Sequence, residues 1–228
     1  MISQIIFILL FLSAIALFAR NARKIYKNIK LGKESDRSDQ PRKRWRNMLL
    51  VAFGQKKMFK NPLVAILHLF VYLGFVIINI EMLEIIIDGI AGTHRIFGFM
   101  GGFYSFLIFS FEILSVLVIL GCVVFLLRRN IVKVNRLASK ELDNWPKTDA
   151  NLILVFEILL MSAFLTMNAA DFKLQQLGQQ AYPLAGSFPI SQYIASLLPN
   201  APDTLIFIER FSWWFHIIGV LAFLNYLP

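Results

Sequence analysis

The sequence predicts an all-α integral membrane protein, a bundle of five transmembrane helices with its N-terminus outside and its C-terminus inside. Of its 228 residues, 57% are hydrophobic and the mean hydropathy is +0.64, whereas soluble domains are about 45–50% apolar. Several apolar runs approach the ~20 residues that a helix needs to cross the hydrocarbon core. The basic residues are concentrated in two segments between these runs, which favours a defined orientation in the membrane.

The chain is expected to form one membrane domain over residues 1–228. No basic residue precedes the first apolar run, which argues against a signal peptide because such a peptide has a positive n-region. The predicted spans are 2–19, 63–88, 103–127, 150–167 and 205–227. The predicted cytoplasmic loops are 20–60 and 128–147, and the predicted outer loops are 89–102 and 168–204. Within the last loop, the stretch SFPISQYIASLL is expected to form a short interfacial helix.

The charge of the chain is distributed by topology. Of 23 Lys and Arg residues, 14 lie in Arg20–Lys60 and six in Arg128–Lys147. Short loops rich in Lys and Arg remain on the cytoplasmic side, so we expect both segments there. The net charge of +9 therefore does not indicate a nucleic-acid-binding protein, since the basic residues follow the span boundaries of a very apolar chain.

Cysteine usage limits the redox chemistry of the chain itself. Cys122 is the only cysteine, so the chain can form no internal disulfide and supplies no cysteine cluster for iron–sulfur or zinc binding. We expect no iron–sulfur cluster within this chain. Any such cluster would belong to another polypeptide or to a further segment.

Two histidines are the candidate metal ligands. His68 and His216 lie in the second and fifth predicted spans, which run in opposite directions, so their imidazoles could coordinate one haem iron from its two sides. Ala65 and Gly219 lie one turn from these histidines on the same helical faces, where small residues would let the macrocycle approach the backbone. Single buried histidines that hydrogen-bond between helices would give the same pattern, and this alternative stays open.

The depth of the two histidines is the weak point of the haem hypothesis. His68 lies ~9 Å from Pro62 and His216 ~18 Å from Pro228, at ~1.5 Å per residue. If both prolines mark the inner boundary, the ligands differ in depth by up to ~9 Å. His68 would then pair with a ligand beyond Pro228. One haem b is expected, and a second is left open.

Acidic residues within or near the spans are candidates for handling protons or contacting a quinone. Glu81, Glu84 and Asp88 are spaced three and four apart and so share one helical face. Ionisable residues inside a membrane are usually functional or paired. The set of candidates is Glu81, Glu84, Asp88, Glu112, Glu157 and His94. The alternatives are a solvated helix end, hydrogen bonds between helices, and, for His94, an ordinary exposed loop histidine.

Several motifs carry a resemblance that covers essentially the whole chain. The motifs are LGKESDRSD, GFVIINIEMLEIIIDGIAGTHRIF, WPKTDANLIL and WWFHIIGVLAFLNYLP. With the five-span plan, they resemble the membrane portion of heterodisulfide-reductase-related (Fe-S)-binding proteins. That group is similar to the cytochrome b superfamily of nitrate reductase gamma and heterodisulfide reductase membrane subunits. The resemblance implies haem b between the second and fifth helices, quinone as a substrate and a cytoplasmic iron–sulfur partner. It also implies a multi-pass protein of the bacterial inner (cytoplasmic) membrane.

The sequence departs from that family in two respects. Members with two haems carry two histidines about ten residues apart on the second helix, whereas Met58 and Ile78 stand at those distances from His68. A second histidine of the last helix and a cysteine-rich cytoplasmic domain are expected to follow Pro228.

The sequence therefore favours a membrane electron-transfer module that binds haem b and carries no catalytic residue of its own. It would pass electrons between membrane quinone and an iron–sulfur protein or domain docked at the two basic segments. The alternative is a cofactor-free membrane anchor or assembly subunit of a redox complex. A transporter is less favoured, because the chain lacks Gly/Pro-interrupted spans in two corresponding halves.

We predict that the basic loops face the cytoplasm. In intact cells, an impermeant thiol reagent should label a Ser187→Cys variant and spare a Ser35→Cys variant, because translocating the Lys and Arg residues of short loops is costly. Preferential labelling of Ser35→Cys would overturn the orientation.

Overall fold

Five long helices form the body of the computed structural model, which describes residues 1–33, 38–132, 134 and 144–226. These helices and two short ones are numbered in chain order. They are α1 (Ile2–Lys30), α2 (Pro41–Asn47), α3 (Pro62–Ala91), α4 (Gly102–Asn130), α5 (Trp145–Gln176), α6 (Ser191–Ala195) and α7 (Pro202–Tyr226). Three further helical segments are a π-helix at Met48–Phe53 and 3₁₀ helices at Lys56–Lys60 and Ile96–Met100.

The predicted all-α fold is confirmed. The structure is 82% helical and shows no strand among its described residues, and the five helices α1, α3, α4, α5 and α7 are long and apolar enough to cross a membrane. Each contains or nearly matches a predicted span. Several helices extend beyond the apolar runs, most clearly α1, which continues to Lys30. Its polar residues add a basic extension to the apolar part.

The five long helices form a closed ring. Helix α3 packs against α4, α4 against α5, α5 against α7, and α1 lies between α7 and α3. Small residues allow close approach where helices meet, as expected in membrane bundles. A Cβ added at Gly74 would lie 2.3 Å from Val118 Cγ2, and one added at Gly89 would lie 2.6 Å from the Phe7 ring.

Two ends of the bundle can be distinguished by their residues. The first end, called here the basic end, contains the C-terminal part of α1 and the whole 41–60 segment. The second, called here the Arg95 end, carries the start of α1, because Gln4 Nε2 donates a hydrogen bond to the carbonyl of Ile90 at 3.4 Å. The chain therefore places the beginning of α1 and the 92–101 connection together.

The connection from α5 to α7 folds back into the bundle. Ser191, at the start of α6, is fully buried and its hydroxyl donates to the carbonyl of Leu165 on α5 at 3.0 Å. Leu165 lies eleven residues before the end of α5 at Gln176, about 16 Å along the helix. The short helix is present as predicted. One face of α6 packs on α5, whereas Tyr193 on the other face is 71% exposed, and its interfacial placement stays a prediction. Irregular backbone is tolerated at such depth where protein surrounds it.

We predict that Gly74→Ala destabilises the bundle. The new methyl group would overlap Val118 on α4, and overpacking of this kind costs about 1–3 kcal/mol. Thermal unfolding in detergent should show a lower Tm. Gly102→Ala is the matched control, because no atom lies within 4 Å of its added Cβ. Equal behaviour of the two variants would contradict the close α3–α4 packing.

Candidate functional site

His216 is buried on α7 and packs against α5. Its Nδ1 lies 3.1 Å from the carbonyl oxygen of Leu160, and its ring centroid is 6.2 Å from that of Phe164. A carbonyl only accepts hydrogen bonds, so Nδ1 carries the proton and Nε2 keeps its lone pair. This is the arrangement in which a histidine ligates a metal while its other nitrogen is held by a backbone carbonyl. A histidine with a purely structural role can adopt it as well.

Gly219 is the predicted small neighbour of His216. Side chains of α5 occupy the space beside it in this structure. A Cβ at Gly219 would lie 2.6 Å from Leu160 Cδ2 and 3.2 Å from Phe156 Cζ. The glycine is therefore required for the α5–α7 contact. A haem slot at this position stays a prediction, and it would need the side chains of α5 to move.

His68 is half-buried and opens onto a cavity of about 110 Å³ at the basic end. Ala65, the small residue predicted beside it, lines the same cavity, whose other wall is formed by residues 53–59. Within the described part of the chain, His68 has no hydrogen-bond partner. Its imidazole is thus available to a ligand that enters the cavity.

The register of the helices brings the two histidines to similar depth. Asn130 and Asn151 pair through reciprocal amide hydrogen bonds of 3.2 and 3.0 Å, which aligns α4 with α5. Gly121 on α4 and Leu160 on α5 are each nine residues away from this pair, so they lie at similar depth. Leu160 contacts His216, and a Cβ at Gly121 would lie 3.3 Å from the carbonyl oxygen of Leu67.

The depth difference inferred from the two prolines is therefore removed by the packing. The directions of the side chains still differ, since His68 faces the cavity below residues 53–59 and His216 faces α5. His216 is not among the residues that line the His68 cavity. Their pairing on one haem stays a prediction.

A buried arginine organises the opposite end of the bundle. Arg95 donates from Nε to Asp171, from Nη1 to the Tyr104 hydroxyl at 2.9 Å, and from Nη2 to Asn168 Oδ1 at 2.9 Å. Its guanidinium carbon also lies 5.0 Å from the Phe188 ring centroid. We call these five residues the Arg95 cluster. Burial alone would lower the pKa of Arg95, but the Asp171 carboxylate and other acidic neighbours raise it well above its usual value, so the residue stays charged.

Two of the predicted acidic residues hold the backbone around Arg95. Asp88 accepts hydrogen bonds from the backbone N–H groups of Arg95 and Ile96 at 2.7 and 3.2 Å. Glu84 accepts from the N–H of Phe97 at 2.9 Å and from the Tyr104 hydroxyl at 2.8 Å. Arg95 has φ of +51°, which is uncommon for a residue other than glycine. These carboxylates stabilise that turn, so the alternative of a solvated helix end is wrong for Glu84.

Glu81 is the acidic residue that the cluster leaves without a partner. Its side chain is buried, and Oε2 has no hydrogen bond among the described residues. It lines a small cavity of about 20 Å³ together with Glu84, Asp171 and Glu209. That volume corresponds to about one water molecule. The unpartnered oxygen of Glu81 thus belongs to a residue that lines this cavity, and a role in proton exchange stays a prediction.

Glu112 and Glu157, the two acidic residues predicted within spans, have different surroundings. Glu112 accepts hydrogen bonds from the Asn168 amide at 3.2 Å and from the backbone N–H groups of Ile190 and Ser191 at 2.8 and 3.0 Å. It therefore holds the start of α6 against α4 and α5. Glu157 lies apart from the Arg95 cluster, near the Cys122 thiol, and has no hydrogen bond among the described residues.

His94 is packed into the protein. Its side chain is 22% exposed, its Nε2 lies 3.3 Å from Asp171 Oδ2, and its ring centroid is 4.7 Å from that of Tyr182. The alternative of an ordinary exposed loop histidine is therefore wrong. With Asp88, Arg210 and Trp213, His94 also lines a cavity of about 230 Å³ beside the start of α1. This cavity offers hydrogen-bond donors and an aromatic wall.

Sequence reasoning missed several residues of this end. Arg95 and Asp171 are 76 positions apart, and Tyr182 bonds to Glu209, which also pairs with Arg210. Local patterns do not reveal such pairs. One available signal was that Asp171 and Glu209 stand at the ends of apolar runs, where an isolated carboxylate is expected to have a partner.

We predict that Arg95→Met strongly destabilises the protein. The change leaves the 1% exposed Asp171 without its main counter-charge, and breaking a buried ion pair costs about 3–5 kcal/mol. A double variant, Arg95→Met with Asp171→Leu, should recover part of the lost Tm in detergent. Arg44→Met is the control, since Arg44 lies 3.8 Å from Asp39 in an exposed pair. An equal loss in both single variants would contradict the role of the cluster.

The chain is similar to two curated redox proteins. It is 27% identical, over 227 residues, to the probable iron–sulfur-binding oxidoreductase FadF of Bacillus subtilis. The aligned region covers 99% of this chain and 30% of that protein. It is 28% identical, over 203 residues, to the EtfAB:quinone oxidoreductase of Syntrophomonas wolfei. This aligned region covers 86% of this chain and 27% of that protein. The chain thus spans less than a third of the curated relatives it matches.

No protein-family model and no solved structure matches the chain. The two similarities support a redox-related family for this five-helix membrane-type protein.

Proposed function

We propose that the chain is a membrane electron-transfer module that passes electrons between quinone and a cytoplasmic iron–sulfur protein or domain. The observation that carries the proposal is the similarity of nearly the whole chain to an iron–sulfur-binding oxidoreductase and a quinone oxidoreductase. The five apolar helices support a multi-pass protein, and we place it in the bacterial inner membrane. The longer relatives leave room for an iron–sulfur domain outside this stretch.

The carrier within the bundle is proposed to be haem b, with His68 and His216 as axial ligands. The hydrogen bond from His216 Nδ1 to Leu160 supports this, because it leaves Nε2 free to bind iron. The similar depth of the two histidines also supports it. For both to bind one haem, the His68 ring would have to turn from its cavity towards α7. Haem bound in this way would supply one-electron chemistry, and the protein would set its potential through burial and hydrogen bonding.

The quinone is proposed to bind at the Arg95 end, in the cavity of about 230 Å³. Arg210 and His94 can donate hydrogen bonds to a quinone oxygen, and Trp213 offers an aromatic surface. Oxidation of a quinol releases protons together with electrons. Glu81, buried with an unpartnered oxygen, and the carboxylates beside it are placed to accept them.

A cofactor-free anchor or assembly subunit is the second candidate function. The contact of Gly219 with Leu160 and Phe156 favours it, because α5 and α7 fill the predicted haem slot in this structure. The spectrum of the purified protein decides between the two candidates.

We predict a b-type reduced-minus-oxidised spectrum for membranes that contain this protein. His68→Ala and His216→Ala should each remove most of the signal at unchanged protein levels on an immunoblot, because each removes an axial ligand. His94→Ala is the control and should keep the haem, since this histidine lies in the 92–101 connection, at the opposite end of the bundle from His68. Absence of any haem spectrum would favour the anchor, and a signal unchanged in both ligand variants would exclude the proposed pair.

A further inference from the structure

The 41–60 segment has the composition and exposure of a membrane-surface element. It contains α2, the π-helix Met48–Phe53 and the 3₁₀ helix Lys56–Lys60. Seven of its twenty residues are Lys or Arg, and none is acidic. None of its residues is buried. The bundle therefore provides no core for this segment.

The order of residues along the segment is basic, apolar and basic. The first part, α2, contains four basic residues, the π-helix is entirely apolar, and the 3₁₀ helix contains the remaining three basic residues. The large side chains of the π-helix are 38% to 56% exposed. A helical turn that is apolar on every side is stable only where it is surrounded by an apolar medium.

The apolar part is too short to cross a bilayer, since six residues of helix extend only ~9 Å. It can enter the outer few ångströms of the acyl region, the depth that interfacial helices reach. The flanking Lys and Arg side chains would then lie at the level of the lipid headgroups. Trp45, which is exposed, is a residue type enriched at that level.

The basic residues of the 41–60 segment indicate which kind of lipid it would bind. Among the described residues, Arg44 is the one basic residue of α2 with an acidic partner, the exposed Asp39 at 3.8 Å. The segment itself contains seven basic residues and no acidic one, so it carries a strong positive excess. Phosphodiester headgroups with a net negative charge attract such basic segments. We propose that residues 41–60 form an anionic-phospholipid-binding element that inserts Met48–Phe53 into one leaflet.

This element also forms a wall of the His68 cavity. Phe53, Gly54 and Phe59 line it opposite Ala65 and His68. Insertion of the segment therefore fixes the position of that wall. The basic extension of α1 and the 128–147 segment then remain as docking surfaces for the iron–sulfur partner. The lipid proposal itself does not depend on the haem proposal.

The experiment uses the whole protein in nanodiscs and a nitroxide label on a Leu50→Cys variant. Collision with oxygen reports lipid exposure, and collision with a nickel chelate reports water exposure. Phe106→Cys on the surface of α4 and Gln180→Cys in the α5–α7 connection serve as lipid and water references. In discs containing phosphatidylglycerol, the Leu50 label should match the lipid reference. In pure phosphatidylcholine, its nickel accessibility should rise towards the water reference.

Charge removal provides the matched comparison. Changing the four basic residues of α2 to glutamine (Arg42, Lys43, Arg44 and Arg46) should release the Leu50 label into water even with phosphatidylglycerol. The same change at four basic residues of α1 (Arg23, Lys24, Lys27 and Lys30) should leave it in the lipid.

Three results would overturn the proposal. A label that reaches nickel in both lipids would place the segment in water. A label shielded from both reagents would show that it packs against protein. Insertion that persists in neutral lipid and after charge removal from α2 would show that anionic lipid is not required.

Discussion

The charge of Arg95 is the constraint on which the Arg95 end of the bundle depends. A guanidinium inside an apolar helix ring is costly unless its donors are satisfied. Asp171 and Asn168 on α5 and Tyr104 on α4 satisfy them. Because these partners belong to different helices, the arginine also fixes how the helices are arranged around it. The carboxylates of α3 then hold the turn from which the side chain extends.

The same constraint explains why ionisable groups are so frequent at this end. Once a charge and its partner are buried, each further polar atom near them needs a hydrogen bond of its own. Gln175 bonds both to Asp171 and to the backbone of Ala185, and in this way joins the cluster to the α5–α7 connection. Glu81 Oε2 lies outside this pairing scheme. This unpaired buried oxygen is the observation on which its proposed proton-exchanging role rests.

The sequence was sufficient for the helices because their signal is local. Apolar runs and the segregation of Lys and Arg predicted five spans, and all five are present. The relative depth of His68 and His216 was not predictable in this way. It depends on the register between helices, which is set by the Asn130–Asn151 pair and by close contacts at Gly121. No pattern within one helix contains that information.

The contacts of the α5–α7 connection with α4 and α5 were not predictable for a related reason. Loops usually run over the surface of a protein. The burial of Ser191 depends on Glu112, whose carboxylate accepts its N–H from 79 positions earlier in the chain. A carboxylate within an apolar run indicates that a partner exists, but not which backbone provides it.

The bond between Glu112 and the start of α6 has a consequence for synthesis of the protein. Ile190, the nearer of its two backbone partners, is translated 78 residues after Glu112. The nascent α4 therefore enters the membrane with a carboxyl group whose partners have not yet been made. A neutral, protonated carboxyl is much less costly there than a charged one. Insertion of α4 and closure of the bundle are thus separate stages.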